Sequence, residues 1–523
     1  METASLLGRV KPEEVGIASE GIERFIGLIR ERQVALHSFM LLRHGKVAAE
    51  GFFAPFDKDR LHPIFSISKS VTSAAVGIAI GEGRFNLQDK AVELLARHIT
   101  GDVHPYTAKL TVEHLLMMTT VYHKAPSSET PNWVRTYLTS RPERPPGFLF
   151  AYDTSGTNLL CAILQETTGM TVHDYLQPRL FDAIGMGPLT WDSCPMGINR
   201  GGSGIRCTTE GLARFGQLYL QDGIWNDRRV LPEGWVSRST ARHADNSGHK
   251  GMLDGKPGYG YQFWRLRNGA YGAFGLGGQF VVVMPDKDAV FISTANTQFV
   301  KDGHQVILDC MWEALYPAMD GEGAAEPQSG LPAETASGIL PVSGTAAEPA
   351  AFAGSAGRGL AEQLASLQLS LPPGAPDSAM AAAVNGRFYR LEANRHGFTG
   401  CRFEFAGEAS TLRLTRGEAA GGEASALRLT REDGAEEAVL PFGLHHWLTD
   451  TDQLFSSGEA CCTSGTWVDG HTLLIHMHLL DRLQMVMFIC HFEEDTMAIQ
   501  LVMPGVHFKD ELECDLIGTL AVD

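Results

Sequence analysis

The residues whose types and spacing best suit chemistry are Ser66 and Lys69, in the hexapeptide FSISKS at the head of an apolar stretch. Residues three apart lie on one face of a helix, so an ammonium at position 69 would reach a hydroxyl at position 66. A helix N-terminus also favours a developing oxyanion, because the positive end of the helix dipole lies there. Burial lowers the pKa of a lysine and helps it accept a proton. The pair therefore indicates a serine nucleophile with a lysine proton partner.

A serine and a lysine three residues apart are expected about once by chance in a chain of this length. A second match, Ser247 with Lys250, lies in the polar segment NSGHKG, which no apolar helix follows. We interpret that match as chance. The first match gains weight from its surroundings and from two further motifs.

Tyr152 lies in the segment PGFLFAYDTSG, directly before the apolar stretch TNLLCAILQETTG, and the segment GLGGQ begins at Gly275 and leads into FVVVMP. The three motifs in this order resemble those of the serine β-lactamase and penicillin-recognising family. The Gly-rich form of the third motif is closest to the β-lactamase-related esterases and the 6-aminohexanoate-dimer hydrolases. The resemblance extends over about residues 15–317.

The resemblance implies a role for each matching residue. Ser66 is the acylating nucleophile, Lys69 is its proton partner, and Tyr152 is a phenolate-like base or a relay to the leaving group. The backbone N–H groups of Ser66 and Leu276 form the oxyanion hole. No metal and no organic cofactor is implied.

Two departures from the family pattern concern the substrate-binding positions Thr154, Gly275 and Gly277. Thr154 stands where the family usually has asparagine, and it lacks an amide that donates and accepts at once. Gly275 stands where β-lactamases and peptidases have a cation that pairs with the substrate carboxylate. We therefore expect a neutral ester or amide substrate. Arg200 or His243 could supply a replacement charge, although a structural role suits both better.

The elements around these motifs are mixed. SFMLLRHGKVAAEGFF is typical of a hairpin, SVTSAAVGIAIGEGRF of a helix closed by glycines, and QFVVVMPDKDAVFISTAN of two strands around a Pro-Asp turn. Mixed helices and hairpins predict an α/β (α+β) fold with a mainly antiparallel sheet. The resemblance implies a β-lactamase/DD-peptidase-like sheet flanked by helices, with an all-helical subdomain.

Three regions follow one another along the 523 residues. We predict a serine hydrolase domain over residues 1–318 and an all-β accessory domain, a sandwich or a barrel, over residues 384–523. Residues 319–383, rich in Ala, Gly, Pro, Ser and Glu, predict a flexible linker that includes a possible short helix, GLAEQLASLQLSLP. In the last region, His476 and His478 share a strand face, which is more typical of the sheet surface than of a metal pair.

The composition excludes several classes of protein. Forty-three basic and 61 acidic residues give a net charge of −18, which disfavours nucleic acid and anionic membranes as partners. Nine cysteines without paired spacing favour a reducing compartment, and no apolar stretch is long enough to span a bilayer. The N-terminus lacks the pattern of a signal peptide. We expect a cytoplasmic protein.

We therefore expect a serine hydrolase that cleaves a small ester or amide through an acyl-enzyme on Ser66. A true β-lactamase or a D-amino-acid peptidase is the alternative within enzymes. A catalytically silent ligand-binding or interaction protein is the alternative from another class, although the presence of Ser66, Lys69 and Tyr152 together disfavours it.

Overall fold

The computed structural model describes residues 7–249, 253–300, 303–320, 359–407, 409–416, 437–452, 454, 458–503 and 514–521. The chain divides into two compact units. The first comprises residues 1–53, 57–336 and 357–367, and the second comprises residues 54–56, 337–356 and 368–523. All the residues predicted to do chemistry belong to the first unit.

The main sheet of the first unit has six strands in the order β2-β1-β11-β10-β9-β8. Its neighbouring strands are antiparallel. The predicted hairpin and the predicted strand pair around the Pro-Asp turn are both confirmed. The strands of this sheet are β1 (Ala35–Arg43), β2 (Lys46–Phe52), β8 (Trp264–Arg265), β9 (Tyr271–Gly275), β10 (Gln279–Met284) and β11 (Ala289–Asn296).

Two smaller sheets complete the strands of this unit. One has the order β3-β5-β4, and the other pairs β6 with β7. Their bounds are β3 (His62–Pro63), β4 (Leu189–Trp191), β5 (Ile205–Cys207), β6 (Ile224–Trp225) and β7 (Arg228–Arg229). Pairing of β3 with β5 places the segment before Ser66 beside the segment that follows Gly202.

Helices cover both faces of the main sheet and form a separate helical region of the first unit. They are α1 (Ser19–Glu31), α2 (Ile67–Gly81), α3 (Ala91–Leu94), α4 (Val112–Leu116), α5 (Trp133–Thr139), α6 (Thr154–Thr168), α7 (Val172–Leu176), α8 (Asp182–Ile184), α9 (Thr209–Leu220), α10 (Trp235–Thr240), α11 (Gly303–Cys310), α12 (Tyr316–Ala318) and α13 (Leu360–Ala365). Short 3-10 turns and two π-helical turns, Gln177–Phe181 and Met311–Leu315, connect them.

Helix α2 is the central helix of the first unit. Small and apolar residues surround it, and residues 67–79 are all buried, because it packs against α6 on one side and β9 on another. A helix that is apolar on all sides is stable only inside a core. The predicted helix is thus confirmed, and its buried position explains how Lys69 comes to lie in the interior.

The second unit is built on a ten-stranded sheet in the order β15-β14-β13-β12-β21-β20-β19-β18-β17-β16, in which β15 also pairs in parallel with β17. This extra pairing closes the sheet on itself. The unit contains α14 (Ala379–Val384) and the strands β12 (Phe388–Leu391), β13 (Phe398–Glu404), β14 (Ser410–Arg416), β15 (Glu437–Leu444), β16 (Leu448–Thr451), β17 (Ala460–Trp467), β18 (Thr472–Leu479), β19 (Gln484–Phe492), β20 (Thr496–Val502) and β21 (Cys514–Leu520).

The predicted fold class is confirmed, with a mixed first region and an all-β region at the C-terminal side. The exact domain boundaries stay a prediction. Residues 321–358 of the predicted linker lie outside the described residues. In its described part, α13 falls on the segment expected to form a short helix and packs against β2.

Candidate active site

Ser66 stands at the turn that starts α2. It is the N-cap residue of that helix, and Phe65 before it has a positive φ of 46°. A non-glycine residue in this region of backbone space is strained, and such strain clusters at functional sites. The Ile64 amide donates to the Ile205 carbonyl at 3.0 Å, which fixes the approach to the turn. The serine side chain is half-buried.

Lys69 lies one turn further along α2 with a side chain that is 1% exposed. Its Nζ donates to Ser66 Oγ at 3.0 Å and to the backbone carbonyl of Gly202 at 2.7 Å. Burial lowers the pKa of Lys69 to about 7, and the negative charge of Asp153 opposes part of this shift. The amine can therefore exchange a proton with Ser66 near neutral pH.

Tyr152 lies on the other side of this pair. The centre of its ring is 4.8 Å from Lys69 Nζ. Burial raises the pKa of Tyr152 well above its ordinary value, and a hydrogen bond with Ser66 offsets part of this effect. The ring stacks on Trp264 at 5.4 Å between centroids, and Trp264 stacks in turn on Phe274 of β9 at 5.8 Å. The phenol is therefore held in place and stays protonated at neutral pH, which suits a relay better than a phenolate.

Asp153 is the charged neighbour of the site. It is the N-cap residue of α6, where its Oδ1 accepts from the Gly156 amide at 2.8 Å. Its Oδ2 accepts from the hydroxyls of Tyr137 at 2.7 Å and Thr120 at 3.0 Å. Burial raises the pKa of Asp153, and the hydrogen bond from Tyr137 opposes that shift. These bonds fix the carboxylate in place, and its negative charge raises the pKa of Lys69.

The turn between β9 and β10 approaches the segment before Ser66 closely. A Cβ atom added at Gly275 would lie 2.3 Å from the Ile64 carbonyl oxygen. The Gly277 carbonyl accepts from the Thr297 amide at 3.0 Å, and the Leu276 carbonyl accepts from Gln279 Nε2 at 2.8 Å. The turn is therefore rigidly held against the nucleophile segment, as an oxyanion site requires.

The structure brings Ser66, Lys69 and Tyr152 close together. Thr154 begins α6 and is exposed. The two candidate replacement cations are engaged elsewhere, since Arg200 pairs with Glu129 at 2.5 Å and the His243 ring stacks on Tyr261 at 4.1 Å.

Sequence reasoning missed the groups that support Lys69. These are the Gly202 carbonyl, the buried carboxylate of Asp153 and the side chain of Asn158, whose Oδ1 accepts from the Gly202 amide at 2.9 Å. The adjacent glycines 201 and 202 were the available signal, because paired glycines often mark a close approach of the backbone.

Within the described ranges, no cluster of three or more metal-ligating side chains is present. His476 and His478 lie on β18 and are cross-strand partners of Ser464 and Cys462. The predicted surface position is wrong for His478, which is 5% exposed because the ring packs against Trp447. Among the helices that the structure describes, none is long and apolar enough to cross a membrane.

Comparisons with known proteins agree with this geometry. The family model described as Beta-lactamase matches residues 24–309, which is more than half of the chain. A 6-aminohexanoate-dimer hydrolase of Paenarthrobacter ureafaciens is 27% identical over 296 residues, covering 51% of this chain and 74% of the relative.

Two solved structures are also similar to the chain. A penicillin-binding protein homologue from Caulobacter crescentus is 15% identical, with a TM-score of 0.43 and coverage of 54% of this chain and 93% of that one. The octameric penicillin-binding protein homologue from Pyrococcus abyssi is 14% identical, with a TM-score of 0.46 and coverage of 95% and 99%.

The chain belongs to the beta-lactamase family, and it is a hydrolase of that family. The resemblance predicted from the three motifs is thereby confirmed.

Proposed function

We propose that the protein hydrolyses a small ester or amide through an acyl-enzyme on Ser66. The observation that carries this proposal is the 3.0 Å contact between Ser66 Oγ and a buried Lys69 whose pKa is about 7. A neutral amine at this distance can take the serine proton as the oxygen attacks a carbonyl carbon. The backbone N–H groups of Ser66 and Leu276 would hold the oxyanion that forms.

The proton then has to reach the leaving group. Tyr152 contacts the serine hydroxyl and lies beside Lys69, so its phenol can pass a proton to the departing oxygen or nitrogen while it regains one from Lys69. Breaking the bond to the leaving group leaves an ester on Ser66. A water molecule, deprotonated by the same groups, attacks this ester, and the acid product leaves with the serine restored.

A neutral substrate suits the site. The close approach at Gly275 leaves no room for the side chain that would pair with a substrate carboxylate. Arg200 and His243 are engaged in other contacts. The relative from Paenarthrobacter ureafaciens, named for the hydrolysis of a 6-aminohexanoate dimer, supports an amide as one substrate class beside esters. The absence of paired cysteine spacing supports a cytoplasmic location.

The test compares Ser66→Ala with the wild type on p-nitrophenyl esters, on small amides and on a chromogenic cephalosporin. We expect kcat/KM for the ester to fall by about 10³-fold or more, because the nucleophile is lost. A fluorophosphonate probe should label the wild type at Ser66 and should not label the variant.

Ser247→Ala is the matched control, since Ser247 belongs to the second, chance match and lies in an exposed loop. It should retain wild-type turnover. Full ester turnover by Ser66→Ala, or failure of the probe to label Ser66, contradicts the proposal. Rapid cephalosporin turnover would favour a true β-lactamase instead.

A further inference from the structure

The position at which the family usually has asparagine holds a threonine in this chain, so its side-chain amide is absent. Thr154 occupies the third position of the tyrosine motif, and its side chain is exposed at the start of α6. Lys69 nevertheless has a second acceptor besides Ser66, the backbone carbonyl of Gly202 at 2.7 Å. The carbonyl of a loop residue can orient the Lys69 ammonium only if other contacts fix the position of the loop.

Asn158 holds that loop. It lies four residues after Thr154, one turn further along α6, and is 4% exposed. Its Oδ1 accepts from the Gly202 amide at 2.9 Å, and its Nδ2 donates to Ser128 Oγ at 2.7 Å. The backbone of Gly202, whose carbonyl faces Lys69, is thus tied to α6 by the buried side chain of Asn158. The bond to Ser128 sets the orientation of that side chain.

The same loop is tied to α2, which bears Ser66 and Lys69. Thr72 Oγ1 donates to the Gly201 carbonyl at 3.1 Å. A Cβ atom at Gly202 would lie 2.5 Å from Thr154 Cγ2 and 3.3 Å from Lys69 Nζ, so the absence of a side chain permits this close approach. Small displacements of the loop would therefore change the distance between the carbonyl and the ammonium.

We propose that Asn158 is the positioning residue for the lysine, and that it acts through the Gly202 backbone in place of the amide missing at position 154. The inference rests on the proposed function of Ser66 and Lys69. Among the described residues, no hydrogen bond joins Asn158 to Lys69. Its effect is to keep the Gly202 carbonyl at a distance that orients the amine toward Ser66 Oγ.

The experiment measures pH profiles of kcat and KM for the full-length Asn158→Leu and Asn158→Asp variants with a p-nitrophenyl ester. In Asn158→Leu the Gly202 carbonyl is released, so we expect kcat to fall about 10- to 100-fold with little change in KM. Loss of an acceptor for the ammonium should also move the acid limb to lower pH. Asn158→Asp keeps an acceptor for the Gly202 amide and adds a negative charge, so its acid limb should move to higher pH by about one unit.

Gln305→Leu is the matched control for loss of a buried side-chain amide. Gln305 is 7% exposed, its Oε1 accepts from the Asp254 amide at 3.2 Å, and its Nε2 donates to Asp254 Oδ2 at 2.6 Å. The control should lower thermal stability and leave the acid limb in place. The proposal is supported if the acid limbs of the two Asn158 variants move in opposite directions. A loss of stability alone would not move the two limbs in opposite directions.

Acid limbs that stay at the wild-type position in both Asn158 variants, or that shift equally in Gln305→Leu, would overturn it. If Asn158→Leu does not fold, Asn158→Ala takes its place, since it also removes the acceptor for the Gly202 amide and should move the acid limb to lower pH. Labelling of Ser66 by a fluorophosphonate separates the two proposals. A wild type that is not labelled contradicts the proposed function, whereas labelling with unmoved limbs contradicts the positioning role alone.

Discussion

The pKa of Lys69 is set by two opposing electrostatic effects. Burial lowers its pKa to about 7, while the nearby charge of Asp153 raises it. The buried phenol of Tyr152 stays protonated because its pKa is raised. The pKa values of Lys69 and Tyr152 are thus shifted in opposite directions. Lys69 can accept a proton near neutral pH, whereas Tyr152 keeps its own.

This division predicts the pH dependence of catalysis. Because the neutral amine accepts the Ser66 proton, kcat/KM should fall as the pH drops through about 7 and level off above it. Asp153→Asn removes a negative charge that favours the ammonium, so the limb should move to lower pH. Ester hydrolysis measured across the neutral range checks this. A limb unmoved in Asp153→Asn would show that another group controls it.

At the residue scale, the sequence predicted the contacts that are local. Ser66 and Lys69 meet because residues three apart share a helix face. The Gly202 carbonyl, by contrast, comes from a loop 133 positions from Lys69. No local pattern encodes such a contact, because it depends on how the loop packs between α2 and α6.

The end of β9 lies close against the turn that carries Ser66. A side chain at Gly275 would press on the Ile64 carbonyl at 2.3 Å and on Gln279 Cβ at 2.9 Å. The sequence identified Gly275 as a departure from the family pattern. The physical reason, a close approach of two backbones, required the structure.

Gly275→Ala tests this fit. We expect the strand to withdraw from the turn, which should lower kcat/KM at least about tenfold and destabilise the fold by about 1–3 kcal/mol. Turnover and thermal unfolding provide the measurements. Gly27→Ala in α1 is the control, because nothing lies within 4 Å of an added Cβ there and alanine favours helix. Wild-type turnover in Gly275→Ala would mean that the approach does not constrain the site.

At the scale of the whole molecule, only one of the two compact units holds the residues of the candidate active site. Ser66, Lys69, Tyr152 and Leu276 all belong to the first, which also includes residues 357–367. Leu367 is 3% exposed, and its Cδ1 would lie 2.6 Å from a Cβ atom at Gly51. The segment 359–367 therefore packs with the first unit, while the domain boundary at residue 318 stays a prediction. The composition of that segment could not indicate its packing, because apolar contacts made by a short segment leave little trace in averages.

A fragment of residues 1–367 should therefore fold and react with a fluorophosphonate at Ser66. A fragment of residues 1–317 should unfold at a lower temperature, because it lacks α13 and the buried Met319 and Leu367. Labelling and thermal unfolding of both fragments against the full chain check this. An insoluble or unlabelled longer fragment would show that the second unit is needed for the first to fold.

The buried lysine also sets how the fold responds to pH. The unfolded chain keeps the Lys69 proton up to about its ordinary pKa of 10.5, whereas the folded chain releases it near 7. Between these values the unfolded state binds more protons, so the free energy of unfolding rises with pH. Burial of Lys69 lowers the free energy of unfolding by its full amount below about pH 7, and this destabilisation decreases as the pH rises toward 10.5. Resistance to unfolding and readiness for proton transfer therefore improve on the same, alkaline side of neutrality.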